Sequence, residues 1–280
     1  MAVMEYFKPA SLDEAVELID QYGDEARVLA GGTDIIVNLR DKTLKCRYLV
    51  DIKQIPAMQE LQYSDDTGLT IGGAVTINQL MQAQPVIDHY PILVQAGRSL
   101  ANNLVRNRAT LMGNLCNASP AADMAPAALV LGAAVIAVSK TGTRRIPLTE
   151  FFSGVKKNVL KKDEIELKIK IPPPGGKGIY LKKSRIKGHD LSQVGVAGYL
   201  SNSGQLRLAL GAVAPVPLLV RGLGEVRDGD LQQEERVTAI VNRVREQVDP
   251  ISDQRASREY RLAMVAYLVR QVLEFLGKGD

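Results

Sequence analysis

The sequence predicts an α+β protein of two parts, a larger mixed part up to about residue 175 and a smaller part after it. Helix and strand patterns alternate along the first part. The segment IPPPGGKG (171–178) can continue neither a helix nor a central strand, so it marks the boundary. After it, two strand patterns are followed by two amphipathic helix patterns.

The first part begins with a helix that is predicted to start after Ser11. Ser11 and Glu14 have the spacing of a capping box, and Gly23 is placed to end the helix. Two later helices are predicted to begin at Thr76, an N-cap, and at Pro91, which suits a first helical turn. Three short apolar segments are predicted as strands: ARVLA (26–30), RYLVDI (47–52) and GLTIGG (68–73).

The segment AADMAPAALVLGAAVIAV (121–138) has the apolar character of a membrane span. It contains Asp123, Pro126 and Gly132, and its uncharged part is shorter than the ~20 residues that a spanning helix needs. We therefore predict a buried helix followed by a buried strand, and no transmembrane segment.

The second part opens with a predicted hairpin. Strands over 192–200 and 205–213 are joined by SNSG (201–204), a typical turn sequence. Amphipathic helices are predicted near 231–248 and 257–276.

Charge and cysteine content exclude several classes of function. Net charge is +4, from 35 basic and 31 acidic residues, and no long basic run with interleaved aromatics occurs, so no nucleic-acid partner is expected. Cys46 and Cys116 are too far apart for a CxxC metal site, and no metal site is predicted. The N-terminus has no secretory leader, which favours a reducing cytoplasm.

The first candidate binding segment is VLAGGTDIIV (28–37). An apolar strand runs into Gly31 and Gly32, which can expose consecutive backbone N–H groups, and Thr33 adds a hydroxyl. Such N–H groups suit a pyrophosphate. A plain turn is the alternative interpretation.

The second candidate segment spans residues 105–129 and is rich in Asn, Ser and Thr. It lacks helix or strand periodicity before Pro126, and interleaved apolar residues argue against simple solvation, so a packed polar loop around a ligand is predicted. Asp123 is expected either to accept hydrogen bonds from a ribose or ribityl hydroxyl or to be an N-cap.

Other common site motifs are missing from the sequence. There is no GxGxxG and no GxxxxGK[ST]. His89 is expected on the surface, and His189 is followed by Asp190 without a nucleophile pattern nearby, so a hydrolytic triad is not predicted.

Taken together, AGGTDIIV and RNRATLMGNLCNASPAADMAPAALVLGA resemble the FAD-binding (medium) subunit of the molybdenum hydroxylases, the family of bacterial xanthine dehydrogenase and carbon monoxide dehydrogenase. The segments at 180–200, 210–217 and 256–273 resemble that family's C-terminal domain, in the same order. The resemblance covers the whole chain.

The resemblance implies a non-Rossmann flavin fold of the vanillyl-alcohol oxidase-like type. The FAD-binding domain would span 1–175, with subdomains of about 1–55 and 56–175 that hold an extended FAD between them. A C-terminal α+β domain, 176–280, would carry a three-stranded antiparallel sheet with helices.

The resemblance also implies the residues that hold FAD. The first loop would wrap the pyrophosphate: Val28, Leu29, Ala30, Gly31, Gly32, Thr33, Asp34 and Ile35. A second set would contact FAD from the other side: Thr110, Gly113 and Asn114 at the pyrophosphate, and Asn117 and Asp123 further along, with Asp123 on or near the adenosine ribose. Lys182 would lie at the flavin end, where a cation favours the anionic reduced flavin.

One position departs from the family pattern. Relatives often have two glycines before the asparagine, and here the first of them is Met112, which would be strained if the position needed positive φ. Neither His89 nor His189 lies in the two glycine segments, so FAD is expected to be non-covalent. The two separated cysteines could not hold the extra iron–sulfur cluster of one branch of the family.

The implied function is electron transfer. A small subunit with [2Fe-2S] clusters would deliver electrons to FAD here, a large molybdopterin subunit would hydroxylate the substrate, and NAD⁺ or another acceptor would be reduced. The assembly would be a dimer of heterotrimers. No catalytic residue is implied in this chain, although His189 and Asp190 are candidates near the acceptor. A standalone FAD-dependent oxidoreductase acting directly on a small molecule, and a non-catalytic nucleotide-binding module, remain alternatives.

Overall fold

The structure is a computed structural model that describes residues 4–186, 189–227 and 229–278. Within these residues the chain forms four β-sheets. A three-stranded sheet comes first, a five-stranded sheet with a two-stranded ribbon follows, and a four-stranded sheet completes the chain.

The first sheet is parallel, with its third strand in the middle. Its elements are β1 (Glu5–Phe7), α1 (Leu12–Tyr22), β2 (Ala26–Leu29), α2 (Ile35–Arg40) and β3 (Tyr48–Asp51). Helix α1 begins as predicted, because Ser11 Oγ accepts from the backbone N–H of Glu14 at 3.1 Å. The Glu14 carboxylate accepts from Ala10 N–H rather than from Ser11 N–H, so the capping box is displaced by one residue. Gly23 ends the helix with φ +47°.

The second sheet is antiparallel and is formed by residues 61–171. The elements in chain order are β4 (Leu61–Ser64), β5 (Gly68–Gly72), α3 (Ile77–Gln82), α4 (Gln84–His89), α5 (Pro91–Ser99), α6 (Asn103–Arg106), α7 (Leu111–Cys116), α8 (Met124–Val130), β6 (Ala134–Ser139), β7 (Gly142–Pro147), α9 (Leu148–Phe151), β8 (Phe152–Gly154), β9 (Lys157–Asn158) and β10 (Ile165–Ile171). The sheet order is β4-β5-β10-β6-β7, and β8 pairs with β9. The predicted helix starts are confirmed here: Thr76 forms a full capping box with Gln79, and Pro91 is the first residue of α5.

The last sheet has four antiparallel strands, so the prediction of three is wrong. Its elements are β11 (Gly176–Lys183), β12 (Val194–Ser201), β13 (Leu206–Gly211), β14 (Leu218–Leu219), α10 (Glu234–Arg245) and α11 (Arg258–Gly277). The extra strand is only two residues long and follows Pro215 and Pro217, which hide it because proline disfavours strand interiors. The predicted hairpin and both C-terminal helices are present.

The cores show how the parts are joined. Helices α5 and α8 lie between the five-stranded sheet and the C-terminal sheet, and one apolar cluster runs through all three layers. A second cluster fills the space between the C-terminal sheet and helices α10 and α11. A third lies under the parallel sheet. None of the described helices is long and apolar enough to cross a membrane.

The segment 105–129 is not the long loop that was expected. It contains α7 and most of α8, because Thr110 Oγ1 accepts from Gly113 N–H at 2.9 Å and starts a helix whose Leu111 and Leu115 side chains are buried. The buried helix and strand predicted over 121–138 are α8 and β6.

Candidate functional site

A large cleft of about 1230 Å³ lies between the parallel sheet, the helices of the second sheet and a loop of the C-terminal part. Residues 30–35, residues 109–123 and residues 189–191 contribute to its walls. Such a volume exceeds the usual range of small-ligand pockets and suits an extended ligand.

The first wall is the loop between β2 and α2. A side chain at Gly31 would place its Cβ 2.2 Å from the carbonyl oxygen of Arg108, so this glycine lets the two binding segments touch. Gly32 has φ +80°, a conformation that favours glycine. Among the described residues, no acceptor pairs with the backbone N–H groups that follow, those of Gly32, Thr33, Asp34 and Ile35. Leu29, by contrast, is buried and is not part of the cleft wall.

The second wall is the start of α7. Thr110 is buried and caps this helix, and Asn114 Oδ1 accepts from Met124 N–H at 3.3 Å. Thr110, Gly113 and Asn114 all line the cleft. Two of the polar groups predicted to contact a ligand therefore also hold the loop itself together.

Met112 is not strained. It lies inside α7, its φ is not positive, and its side chain is buried in the central core while one edge lines the cleft. A second glycine is not required for this backbone path, because the position is helical.

Polar side chains connect the two walls. Asn117 Nδ2 donates to Asp34 Oδ1 at 2.7 Å, and Lys156 Nζ donates to Asn117 Oδ1 at 2.9 Å. The sequence placed Asn117 and Asp34 in separate loops, and the fold brings them into direct contact.

Asp123 occupies the N-cap position of α8 but makes no capping bond. Its buried carboxylate accepts from Lys182 Nζ at 2.9 Å, from Ser192 Oγ at 2.6 Å and from Tyr180 OH at 3.1 Å. Burial raises the pKa of Asp123, against the lowering effect of Lys182 and of the two hydroxyl donors. The Tyr180 and Ser192 partners were missed, because nothing local in the sequence links them to residue 123.

Asp123 and Lys182 were expected at different places along FAD, and the structure places their side chains in direct contact. An extended dinucleotide would have separated a residue at the adenosine ribose from one at the flavin, yet these two side chains touch. Lys182 also donates to the carbonyl of Ser99 at 2.9 Å and lies behind Asp123, outside the cleft wall. Its positive charge faces a carboxylate and is not free to act on a ligand alone.

His189 and Asp190 line the cleft beside this pair. The Asp190 carboxylate accepts from Arg185 Nη2 at 3.1 Å, and this ion pair holds the pKa of Asp190 well below its usual range. His89 is exposed, as expected, and stacks on Tyr63 with ring centroids 4.3 Å apart.

Another part of the cleft wall lies outside the set of residues predicted to contact FAD. It includes Cys116 at the end of α7, Glu166 on β10, and Asn158 and Leu160 from the segment before β10. No motif marks these residues. The one available signal is an acidic residue within the strand sequence IELKIKI.

The C-terminal part holds the second wall in place from behind. Ala212 has φ +64°, and its N–H donates to the carbonyl of Pro120 at 2.6 Å. The Ala212 carbonyl accepts from the fully buried Arg261 of α11 at 3.0 Å. Arg261 also donates to the carbonyl of Gln193 at 2.6 Å and to Asp253 Oδ1 at 2.8 Å.

Comparison with known families matches nearly the whole chain. The family described as “FAD binding domain in molybdopterin dehydrogenase” matches residues 2–174, and the family described as “CO dehydrogenase flavoprotein C-terminal domain” matches residues 179–276.

Curated relatives have the same extent. The chain is 30% identical over 275 residues to the xanthine dehydrogenase FAD-binding subunit of Escherichia coli O157:H7, covering 96% of this chain and 94% of the relative. It is 28% identical to the carbon monoxide dehydrogenase medium chain of Hydrogenophaga pseudoflava, covering 96% and 95%.

Solved structures have the same fold. A carbon monoxide dehydrogenase structure from Hydrogenophaga pseudoflava aligns with a TM-score of 0.91 at 27% identity, over 98% of this chain and 97% of that chain. Quinoline 2-oxidoreductase from Pseudomonas putida 86 aligns with a TM-score of 0.89 at 28% identity, over 99% and 97%.

The donor groups of the cleft fit FAD. Two loops that touch at Gly31 and Arg108 present to one cavity backbone N–H groups that have no acceptor within the described part of the chain, which is the chemistry that a diphosphate requires. Polar side chains from outside both loops also line this cavity. The resemblance found in the sequence is thereby confirmed: the chain belongs to the FAD-binding (medium) subunits of the molybdenum hydroxylases, an oxidoreductase family that includes xanthine dehydrogenase and carbon monoxide dehydrogenase.

Proposed function

We propose that this chain holds FAD non-covalently in the cleft and passes electrons from the [2Fe-2S] clusters of a partner subunit to NAD⁺ or another acceptor. The observation that carries the proposal is the pair of N–H-rich loops on one cleft, in a chain that matches this family from end to end. Bound FAD would supply both single-electron and hydride transfer.

The residues of this chain would bind and orient the cofactor. The backbone N–H groups of Gly32 and Thr33 would donate to the pyrophosphate, and those of Leu111 and Met112, which have no acceptor among the described residues, would donate from the other side. The Asn117–Asp34 contact would fix the spacing of the two loops.

At the other end of the bound cofactor, we place Asp123 and Lys182 together near the flavin. Their hydrogen-bonded network with Tyr180 and Ser192 is buried, so it would present a fixed polar edge to the ring and keep water out. Because the Asp123 carboxylate compensates the positive charge of Lys182, the pair would shift the reduction potential of the flavin less than an isolated lysine would.

His189 and Asp190 would shape the acceptor site. Both line the cleft next to the Asp123 network, and Arg185 fixes the orientation of Asp190. If replacing both residues leaves the rate with NAD⁺ and with dyes unchanged, this part of the proposal is wrong.

The partners would be a small iron–sulfur subunit and a large molybdopterin subunit, in a dimer of heterotrimers. Support comes from relatives that are themselves named as medium chains, in carbon monoxide dehydrogenase and in nicotine 6-hydroxylase. We place the assembly in the cytoplasm, where Cys46 and Cys116, both unpaired, would stay reduced.

A tagged pull-down of the chain from its own host tests the proposal. FAD, iron and molybdenum should elute together with one smaller and one larger chain. FAD on a single chain would favour a standalone oxidoreductase, and the absence of flavin would overturn cofactor binding itself. Acid precipitation of the eluate should leave FAD in the supernatant, whereas flavin in the pellet would contradict non-covalent binding.

A further inference from the structure

Glu166 is an acidic residue in the cleft wall for which the proposed electron transfer has no use. Its neighbours on β10, Ile165 and Leu167, pack against the core under the parallel sheet. Because side chains alternate along a strand, Glu166 points to the opposite side, toward α7. A β-bulge between Glu166 and Lys168 follows directly, and bulges commonly redirect side chains at binding sites.

The Glu166 carboxyl group has hydrogen-bonding capacity left for a ligand. Over the described part of the chain, no Lys, Arg or hydroxyl group contacts it, and the groups that hydrogen-bond to it are its own backbone N–H and the thiol of Cys116. Glu164, two residues earlier, is different: Arg144 donates to both of its oxygens, at 2.6 and 2.9 Å. Glu166 is therefore not part of a structural ion pair.

Burial affects the protonation of this group. Burial raises the pKa of Glu166, and it also raises the pKa of the Cys116 thiol. The environment therefore favours a neutral carboxyl group, which offers one acceptor and one donor side by side.

Helix α7 shows which end of the cleft Glu166 occupies. Asn114 faces the start of α8, next to Asp123. Cys116 is two residues later, about 200° further around the helix, so it faces the other way. Asn158 Nδ2 donates to the Cys116 carbonyl at 2.9 Å and marks the same end. Glu166 thus lies away from Asp123 and from the C-terminal loop.

We propose that Glu166 recognises the adenine base of the dinucleotide, with its carboxyl group hydrogen-bonded to the exocyclic amino group and to the adjacent ring nitrogen. The inference rests on the proposed function, because it takes the flavin to lie at the Asp123 end and the base at the opposite end. Apolar side chains that line the cleft, among them Leu160, Ile52 and Ile19, offer flat surfaces for a heteroaromatic ring.

Binding of two flavin dinucleotides to the flavin-depleted complex tests the inference. One is FAD and the other is its purine analogue, in which a hydrogen atom replaces the exocyclic amino group. Flavin fluorescence would give both Kd values. The wild-type complex should prefer FAD on the order of tenfold, because the purine analogue leaves one oxygen of the Glu166 carboxyl group without its donor.

Variants separate recognition from structure. Glu166→Gln keeps one donor and one acceptor and should retain the preference for FAD. Glu166→Leu and Glu166→Ala should bind both dinucleotides about equally. Cys116→Ala is the matched control, and it should keep the preference.

Two results would overturn the inference. One is a wild-type complex that shows no preference for FAD over the analogue, a result that does not depend on whether any variant folds. The other is a Glu166→Leu complex that keeps the full preference. A wild-type complex that binds neither dinucleotide would instead overturn the proposed function.

Discussion

Lys182 Nζ lies 2.9 Å from Asp123 Oδ2, and the two side chains are only 8% and 9% exposed. This pair joins a strand of the C-terminal sheet to the segment before α8. Both charged groups are shielded from water, so each one needs the other to offset the free-energy cost of its burial.

Removing one partner of this pair should be costly. Lys182→Met leaves the Asp123 carboxylate buried and uncompensated, and we expect the free energy of unfolding to fall by about 3–5 kcal/mol. Urea denaturation measures the loss. Lys168→Met is the control, because the Lys168–Glu60 pair is more exposed and should contribute about 1 kcal/mol or less. Equal losses in the two variants would contradict the argument.

Gly31→Ala should separate the two binding loops. The new Cβ would meet the Arg108 carbonyl oxygen at 2.2 Å, and relieving that overlap should cost about 1–3 kcal/mol of stability. FAD should bind more weakly in the same variant, as measured by flavin fluorescence. Gly175→Ala is the matched control, because its Cβ would meet nothing within 4 Å. Unchanged FAD affinity in Gly31→Ala would show that the loop contact is not needed.

Met112→Gly should not improve the site, although the family pattern often has glycine there. The side chain is 3% exposed, and its removal from a helix should cost about 2–5 kcal/mol for the cavity and about 1 kcal/mol for helix propensity. Met112→Leu, which conserves volume, should cost less than about 1.5 kcal/mol. A gain in FAD affinity in Met112→Gly, measured by titration, would mean that the methionine restricts the cleft.

The ion pair between Glu164 and Arg144 should make part of the protein's stability depend on pH in the acidic range. Its hydrogen bonds from Arg144 lower the pKa of Glu164 below the ordinary 4.5. The resulting stability is present above pH 4.5 and is lost as the pH falls through the lowered pKa of the folded state. Glu164→Gln should therefore be less stable than wild type at pH 7, with the gap narrowing below pH 4.5 in denaturation curves. A gap that stays constant with pH would exclude this ion pair as the cause.

Local signals were sufficient for part of this fold. Ser11, Thr76 and Pro91 mark helix starts through contacts within one turn, so the sequence alone predicts them. Helix α7 is six residues long, too short to show periodicity, and β14 is two residues long. Such short elements exist because of tertiary packing, which local patterns do not encode.

The candidate site divides in the same way. The glycine loop was predictable because the backbone itself requires Gly31 and Gly32. The partners of Asp123 lie 57 to 69 residues away, and Glu166 meets the end of α7 only through the pairing of β10 with the sheet. Contacts between residues so far apart in the sequence form only when the core assembles, so local patterns do not predict them.

The contact chain from Arg261 through Ala212 to Pro120 bears on how this protein can be divided. A fragment that ends near residue 175 would contain both glycine loops, yet it would lose the donors to the Pro120 carbonyl and to Asp123. The cleft region therefore depends on the C-terminal region for its stability. Natural gene fusions should keep the two regions on one chain. A truncation that removes α11 should weaken FAD binding.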